Sequence, residues 1–245
     1  MKKYILLVFL IYCCGRTSAQ DSSQVLLDKL KAISTAYSNQ KMLSFDIVYK
    51  YSLESAPDKY LDSLRGSFKI DSDEYWYVLD STVTVQNKNH NIILYKEDNL
   101  IYLAKANPAS VSADVLMQNP MQLLKAKGKF TTQYTSGEHT NEIHINFQDH
   151  ADYKKFQFIV EKGSGRLLKI RQVVDSRLLN DPSGIETSAS PKSFGIIDME
   201  FSNYSNTPFD RSVFLSSKYI EYSEGKYNPS AGYSNYTVFQ ASPDL

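Results

Sequence analysis

The segment LSFDIVYKYSL, residues 43–53, has the alternating pattern of a long β-strand that buries one of its faces. Every second residue is apolar, and the residues between them are mostly polar. The apolar set consists of Leu43, Phe45, Ile47, Tyr49, Tyr51 and Leu53. Because successive side chains of a strand point to opposite sides, this set forms one face that other parts of the chain must cover.

The same period of two recurs along the chain and predicts a mostly antiparallel meander. Turn-forming residues separate the repeats, as at Asp71-Ser72-Asp73 and at Asn87-Lys88-Asn89. The further predicted strands cover residues 64–70, 75–79, 82–85, 91–95, 100–104, 130–134, 142–147, 154–160, 166–174, 193–203, 211–222 and 233–240.

Two helical segments are predicted beside the strands. The first, residues 22–40, has an apolar face at helical spacing, which consists of Leu26, Leu30, Ile33 and Tyr37. The second, residues 109–127, is rich in Leu and Met, and Pro120 divides it into two short helices. These patterns predict a mainly β (α+β) domain with helices packed against its sheet.

The N-terminal residues have the composition of an export signal. Two lysines precede an apolar run over residues 4–14, and small residues follow up to Ala19. The run is shorter than the ~20 residues of a membrane-spanning helix. We therefore expect residues 1–19 to be a cleaved signal peptide, residues 20–245 to form a single domain, and the mature protein to be periplasmic. An uncleaved anchor and a lipoprotein signal are the alternatives.

Composition argues against several classes of function. Both cysteines, Cys13 and Cys14, belong to the predicted signal, so the mature chain would have no disulfide and no cysteine-ligated metal. Loss of Lys2, Lys3 and Arg16 with the signal leaves 24 of the 27 basic residues against 27 acidic ones, a formal charge of −3. Such a balance gives no electrostatic reason to expect nucleic acid as a partner.

The sequence has no evident catalytic constellation. Three histidines lie among acidic residues in segment 138–152, but on a strand Glu142 and His144 share a polar face opposite Ile143. This arrangement predicts a solvated outer face rather than a metal site. Gly163-Ser164-Gly165 joins two predicted strands and is typical of a hairpin turn rather than a phosphate loop. We therefore expect no enzyme, no metal and no cofactor.

The order of elements, together with several short motifs, resembles a known family. The motifs are LSFDI at residues 43–47, GSFKI at 66–70, IILY at 92–95 followed by LIYL at 100–103, and KFQFIV at 155–160 leading to GRLL at 165–168. Over residues 22–174 the chain resembles the periplasmic outer-membrane lipoprotein carrier family, LolA and its LolB-like relatives. The resemblance implies a curved antiparallel sheet that forms a half-open barrel, with helices covering the concave side as a lid over acyl chains.

At one point the chain departs from the family. The family's carriers usually place an arginine followed by a proline at the end of the second strand, where the arginine bonds to the lid helices. Here the stretch reads Lys69-Ile70-Asp71-Ser72, and Arg65 lies several residues too early. The departure argues against the family's lid-opening cycle and against lipoprotein shuttling, and it leaves the expected fold unchanged.

A stripe of apolar and aromatic residues is the predicted binding site. The resemblance implies that it lines a cavity for a lipid or acyl group, whereas the residues alone favour a plain core, since pockets are few in any protein. The predicted lining consists of Phe45, Ile47, Tyr49, Phe68, Tyr75, Tyr77, Leu116, Met117 and Met121.

These expectations lead to two hypotheses of function. The first is a monomeric periplasmic carrier or sensor that binds a lipid or an acylated protein and meets envelope membrane proteins. The alternative is a non-enzymatic envelope interaction module with a solid core, which docks a protein through a sheet edge or its outer face.

Overall fold

The computed structural model describes residues 22–38, 41–106, 129–148, 152–179 and 193–242. The predicted signal peptide and the predicted helical insertion, with Leu116, Met117 and Met121, lie outside these ranges. One α-helix, α1 (Ser22–Ser38), is present within them. Its four apolar residues at helical spacing are at most 4% exposed, as the pattern predicts. No helix in the described ranges combines the length and the apolar composition that crossing a membrane requires.

The strands occupy most of the remaining described chain. Those before residue 107 are β1 (Leu43–Leu53), β2 (Ala56–Asp71), β3 (Glu74–Leu79), β4 (Thr82–Gln86), β5 (His90–Tyr95) and β6 (Leu100–Lys105). Those after residue 128 are β7 (Lys129–Ser136), β8 (Thr140–Gln148), β9 (Tyr153–Glu161), β10 (Leu167–Asp175), β11 (Phe194–Ser205), β12 (Ile220–Ser223), β13 (Lys226–Pro229) and β14 (Thr237–Gln240).

Twelve strands form one large curved sheet that does not close, in the order β14-β6-β5-β4-β3-β2-β1-β11-β10-β9-β8-β7. The first strand lies near the middle because it pairs with β2 on one side and with β11 on the other. β12 and β13 form a separate hairpin. The mainly β class and the open, curved sheet are therefore confirmed.

The last strand makes the sheet mixed, although most of its pairings are antiparallel as predicted. β14 runs parallel to β6, with Thr237 opposite Leu100, whereas the other pairings among the described strands are antiparallel. A parallel pair needs a long connection between its two strands. The chain provides one here, because all of β7 to β13 lies between β6 and β14.

The strand predicted over residues 211–222 is wrong for most of its length. Arg211–Phe214 and Ser216–Lys218 are short 3-10 helices, and only the end of the segment is extended. The Asp210 carboxylate accepts a hydrogen bond from the backbone N–H of Ser212 at 2.9 Å and caps the first of them. Such local side-chain bonds compete with strand pairing, and an alternation of apolar residues does not reveal them.

The sheet carries a packed core on each of its faces. The helix-side core joins α1 to β1–β3 and β8–β11, and the C-terminal core joins β3–β6 to the chain after residue 210. The change of face is visible within β3, where Tyr75 packs in the helix-side core and the adjacent Trp76 packs against the C-terminal core. Alternation along the strand places these two neighbours on opposite sides.

Candidate ligand-binding groove

A groove of about 340 Å³ lies where α1 meets the ends of β7, β8 and β9. Its volume is at the lower end of the ~300–1,000 Å³ range of small-molecule sites. The helix supplies Lys29, Ala32 and Ile33 to it. The sheet and its turns supply Tyr134, Thr135, Ser136, Asn141, Glu142, Ile143, Val160, Glu161, Lys162 and Gly165.

The floor of the groove is part of the helix-side core. Ile33, Ile143 and Val160 are only 4%, 4% and 6% exposed, and all three belong to that core. Register explains the two strand positions, because Ile143 of β8 lies opposite Tyr134 of β7, and Val160 of β9 lies opposite Asn141 of β8. A molecule in the groove therefore contacts apolar side chains that are continuous with the interior.

The rim of the groove is polar and includes the lysines Lys29 and Lys162, whereas the Glu142 side chain lies on the outer face of the sheet. The Lys29 ammonium lies 4.9 Å from the centre of the Tyr134 ring, a cation–π arrangement. The Glu142 carboxylate accepts hydrogen bonds from Gln157 Nε2 at 3.1 Å and lies 3.0 Å from His144 Nε2. The apolar floor and charged rim together suit a molecule with an apolar part and a polar end.

A pair of buried tyrosines fixes the C-terminal end of α1 beside the groove. The hydroxyls of Tyr37 and Tyr204 lie 2.5 Å apart. The backbone N–H of Leu167 donates to the Tyr37 hydroxyl at 3.0 Å, and the Tyr204 hydroxyl donates to the carbonyl of Leu167 at 2.8 Å. Burial raises the pKa of Tyr37 to about 12 and also raises the pKa of Tyr204, so both phenols stay protonated at neutral pH. This end of the helix is held by directed hydrogen bonds as well as by apolar contact.

The turn between β9 and β10 brings the sheet close to the helix. Gly165 adopts a φ of +72°, a left-handed conformation that side chains rarely take. A Cβ atom at Gly165 would also lie 3.3 Å from the Cβ of Ala36 on α1. The predicted hairpin turn is therefore present, and its second glycine allows the turn to approach the helix at one end of the groove.

The structure brings together the six predicted site residues that it describes. Phe45, Ile47, Phe68 and Tyr75 are buried in the helix-side core, and Tyr49 and Tyr77 are half-buried against it. The rings of Phe45 and Phe68 stack at 5.0 Å, and those of Phe68 and Tyr77 stack at 4.8 Å. None of these six residues lines the groove. Their role in ligand binding stays a prediction.

Sequence reasoning missed the residues that form the groove. Ile143 was assigned to a buried face, and Ile33 to the apolar face of the helix, but nothing local showed that these faces meet beside a gap. Lys29 and Lys162 were not singled out, because isolated lysines on a helix and in a turn are ordinary surface residues. The only sequence signal for the groove was the amphipathic pattern of α1, and that pattern does not identify which strands the helix covers.

The histidines do not form a metal site in the part of the chain that the structure describes. No group of three or more His, Cys, Asp or Glu side chains is close enough there to hold an ion. His139 is 85% exposed beside Glu138, and His144 lies against Glu142. Asp149 and His150, which belong to the same acidic segment, lie outside the described residues.

The face of β1, β10 and β11 opposite the helix-side core carries a charge network. The Asp198 side chain is 1% exposed, and its two oxygens accept hydrogen bonds from Arg171 at 2.6 Å. Lys169 Nζ lies 3.0 Å from the same carboxylate. Burial alone would raise the pKa of Asp198, but the hydrogen bonds from Arg171 and Lys169 outweigh it and hold the pKa below its ordinary value. The network links β10 to β11 and lies away from the groove.

Comparison with known proteins gives likenesses of structure and none of sequence. No family model matches the chain, and no curated protein matches it. An uncharacterized conserved protein of Thermus thermophilus has a TM-score of 0.47 and 8% identity, over 88% of this chain and 99% of its own. The Mycobacterium tuberculosis lipoprotein LppX has a TM-score of 0.35 and 13% identity, over 76% and 98%. A LolA superfamily protein of Nitrosomonas europaea has a TM-score of 0.24 and 11% identity, over 78% and 97%.

The similar structures thus include proteins described as LolA superfamily members and as lipoproteins. With TM-scores below 0.5 and identities below 25%, these likenesses carry no conclusion about family membership, ligand or activity. Membership of the lipoprotein carrier family therefore stays a prediction from the sequence.

Proposed function

We propose that this protein is a non-enzymatic periplasmic carrier or sensor that binds a lipid or acyl chain in the groove between α1 and β7–β9. The observation that supports this most directly is the composition of the groove, with Ile33, Ile143 and Val160 at its floor. The lipid reaches the groove either free or as part of an acylated protein. On this proposal the protein is a monomer that exchanges its ligand with the envelope membranes.

The size of the groove is consistent with the binding of one chain. An engineered apolar cavity of about 150 Å³ accommodates one benzene molecule, so 340 Å³ accommodates roughly a dozen carbon atoms. Burial of one methylene group contributes ~0.8 kcal/mol, and ten of them contribute on the order of 8 kcal/mol. Part of this gain is offset by the cost of association, so the expected binding is reversible, as a carrier or sensor requires.

Filling the groove from the helix tests the proposal. Ala32 is exposed and lines the groove, so Ala32→Trp would occupy it without removing any core contact. Lys31→Trp is the matched control, because Lys31 is the preceding exposed residue of α1 and does not line the groove. Native mass spectrometry of protein purified from its own cell envelope should detect bound lipid in the wild type and in Lys31→Trp. Ala32→Trp should lack it.

Two results would count against the carrier. One is a ligand-free wild type in every preparation, and the other is equal lipid occupancy in Ala32→Trp and wild type. Circular dichroism and the unfolding midpoint should first confirm that both variants fold as the wild type does.

An envelope interaction module is the second candidate, and the ring packing in the helix-side core favours it. Phe45 and Phe68 are 2% and 5% exposed with their rings stacked, as a solid core requires. Such a module would dock a protein on a sheet edge, such as β7, or on the outer face. Isolation of lipid-free protein with one stoichiometric partner would support this candidate. Lipid in the wild type that is absent from Ala32→Trp would reject it.

A further inference from the structure

The two rim lysines of the groove have no carboxylate partner in the described ranges of the chain. Lys29 lies on α1 and is exposed, and Lys162 lies in the turn after β9 and is also exposed. Neither takes part in an ion pair with a described residue, whereas Lys50, Lys154 and Lys169 do. Both lysines line the groove, and the Lys29 ammonium lies over the ring of Tyr134, another lining residue.

The two glutamates of the rim do not neutralise these lysines, because their side chains belong to the other face of the sheet. Glu142 and Glu161 directly neighbour Ile143 and Val160, whose side chains form the floor of the groove. Alternation along a strand therefore directs the glutamate side chains away from the groove.

The hydrogen bonds of both glutamates agree with this orientation. Glu142 bonds to His144 and Gln157, a cross-strand pair on the outer face. Glu161 accepts a hydrogen bond from the Ser164 hydroxyl in the turn. The charge that faces the groove is therefore positive.

One further donor lies on the groove side of the sheet. Asn141 pairs with Val160 across β8 and β9, so its side chain lies on the same face as the apolar floor. The Ser136 hydroxyl donates to Asn141 Oδ1 at 2.9 Å. The amide nitrogen of Asn141 has no acceptor among the described residues, so it can donate to a bound anion.

We infer that the groove binds a fatty-acid anion, with its chain on Ile33, Ile143 and Val160 and its carboxylate at Lys29, Asn141 and Lys162. This inference rests on the proposed function and specifies its ligand. Room for roughly a dozen carbon atoms suits a single chain better than a phospholipid with two long chains. Lysine and amide donors around one small head group suit a carboxylate, since hydrogen bonds to an ionised acceptor are the stronger ones.

Isothermal titration of the full-length mature protein with four ten-carbon amphiphiles tests the head group. At pH 8 and low salt, decanoate should bind about tenfold more tightly than decanol, and decyltrimethylammonium should bind more weakly than decanol. Decyl phosphate is the fourth probe and distinguishes a phosphate head from a carboxylate. The double variant Lys29→Gln/Lys162→Gln should lose the preference for decanoate and bind decanol as the wild type does. Lys31→Gln, an exposed position on α1 outside the groove, should keep the preference.

The other possible results would contradict the anion site, the lipid carrier, the choice of ligand or the role of the two lysines. Equal affinity for decanoate and decanol would overturn the anion site and leave the lipid carrier intact. Failure of all four probes to bind would overturn both. Decyl phosphate binding tenfold more tightly than decanoate would replace the fatty acid by a phosphorylated lipid. Retention of the decanoate preference in the double variant would show that the two lysines do not form the head-group site.

Discussion

The loss of stability in Phe45→Ala shows whether Phe45, one of the predicted site residues, packs in a solid core or lines a ligand cavity. Phe45 is 2% exposed, and its ring stacks on Phe68 at 5.0 Å and meets the Tyr37 ring edge-on at 5.9 Å. Full burial of a phenylalanine side chain contributes about 1.5–3 kcal/mol relative to exposure. The space left after truncation adds to this loss, because Phe68 and Tyr37 belong to different elements and cannot both move inward.

We expect Phe45→Ala to lower the free energy of unfolding by about 4 kcal/mol, within the range of 3–5 kcal/mol for such truncations. The assay is urea denaturation followed by circular dichroism, and the slope of the transition should stay unchanged. Leu61→Ala is the control, because Leu61 is 62% exposed on β2, and its truncation should change the free energy by less than about 0.5 kcal/mol.

A loss below about 1 kcal/mol for Phe45→Ala would contradict the packing of Phe45 in a solid core, since it would mean that the ring borders empty space and not other side chains. In that case the predicted role of Phe45 in lining a cavity would gain direct support. A loss near 4 kcal/mol would assign Phe45 to the core and leave the groove beside α1 as the binding site among the described residues.

The remaining predictions concern the charge network and a tight backbone contact. Because the pKa of Asp198 is lowered in the folded protein, its stabilisation is present above the unfolded pKa of ~3.9 and is lost as pH falls through the folded value. Asp198→Asn should therefore cost roughly 2 kcal/mol at pH 7, less than a fully buried pair because Arg171 is one-third exposed. In urea titrations the difference between the two proteins should shrink as pH falls below ~4 and vanish only below the folded pKa of Asp198. Gly66→Ala should cost about 1–3 kcal/mol in the same assay, because its Cβ would lie 2.4 Å from the Val78 carbonyl oxygen. Gly163→Ala, with no atom within 4 Å, should be neutral or slightly stabilising, and a similar loss in both glycine variants would contradict the steric explanation.

Local patterns predicted a large part of the fold. The alternation in residues 43–53 predicted β1 with its bounds and the burial of Leu43, Phe45 and Ile47. At the end of the strand it was wrong, because Leu53 is 37% exposed and Ser52 is buried. The helical spacing of Leu26, Leu30 and Ile33 predicted the buried face of α1. These predictions succeeded because the direction of a side chain in a strand or helix depends only on residues a few positions away in the sequence. The segment after residue 210 was less well predicted, since its capping bonds and its parallel partner strand are not encoded in alternation.

The candidate site could not be predicted in the same way. The six described site residues of the prediction do share one face of the sheet, but the groove lies elsewhere, at Ile33, Ile143 and Val160. Its position depends on which strands α1 covers and on where their ends leave a gap. Neither property has a signature in the residues themselves, because a gap results from the shapes of elements that are distant in sequence.

Side-chain direction follows from the backbone period, so the amino-acid pattern alone is sufficient for the mainly β class, the amphipathic helix and the apolar side of the clearly alternating strands. The folded arrangement alone sets which strands are neighbours, for example that Tyr49 of β1 lies opposite Met199 of β11. It also decided that two lysines, one on α1 and one after β9, share a groove above an apolar floor. Contacts between segments more than a hundred residues apart form through packing of whole surfaces, and for that reason no local pattern specifies them.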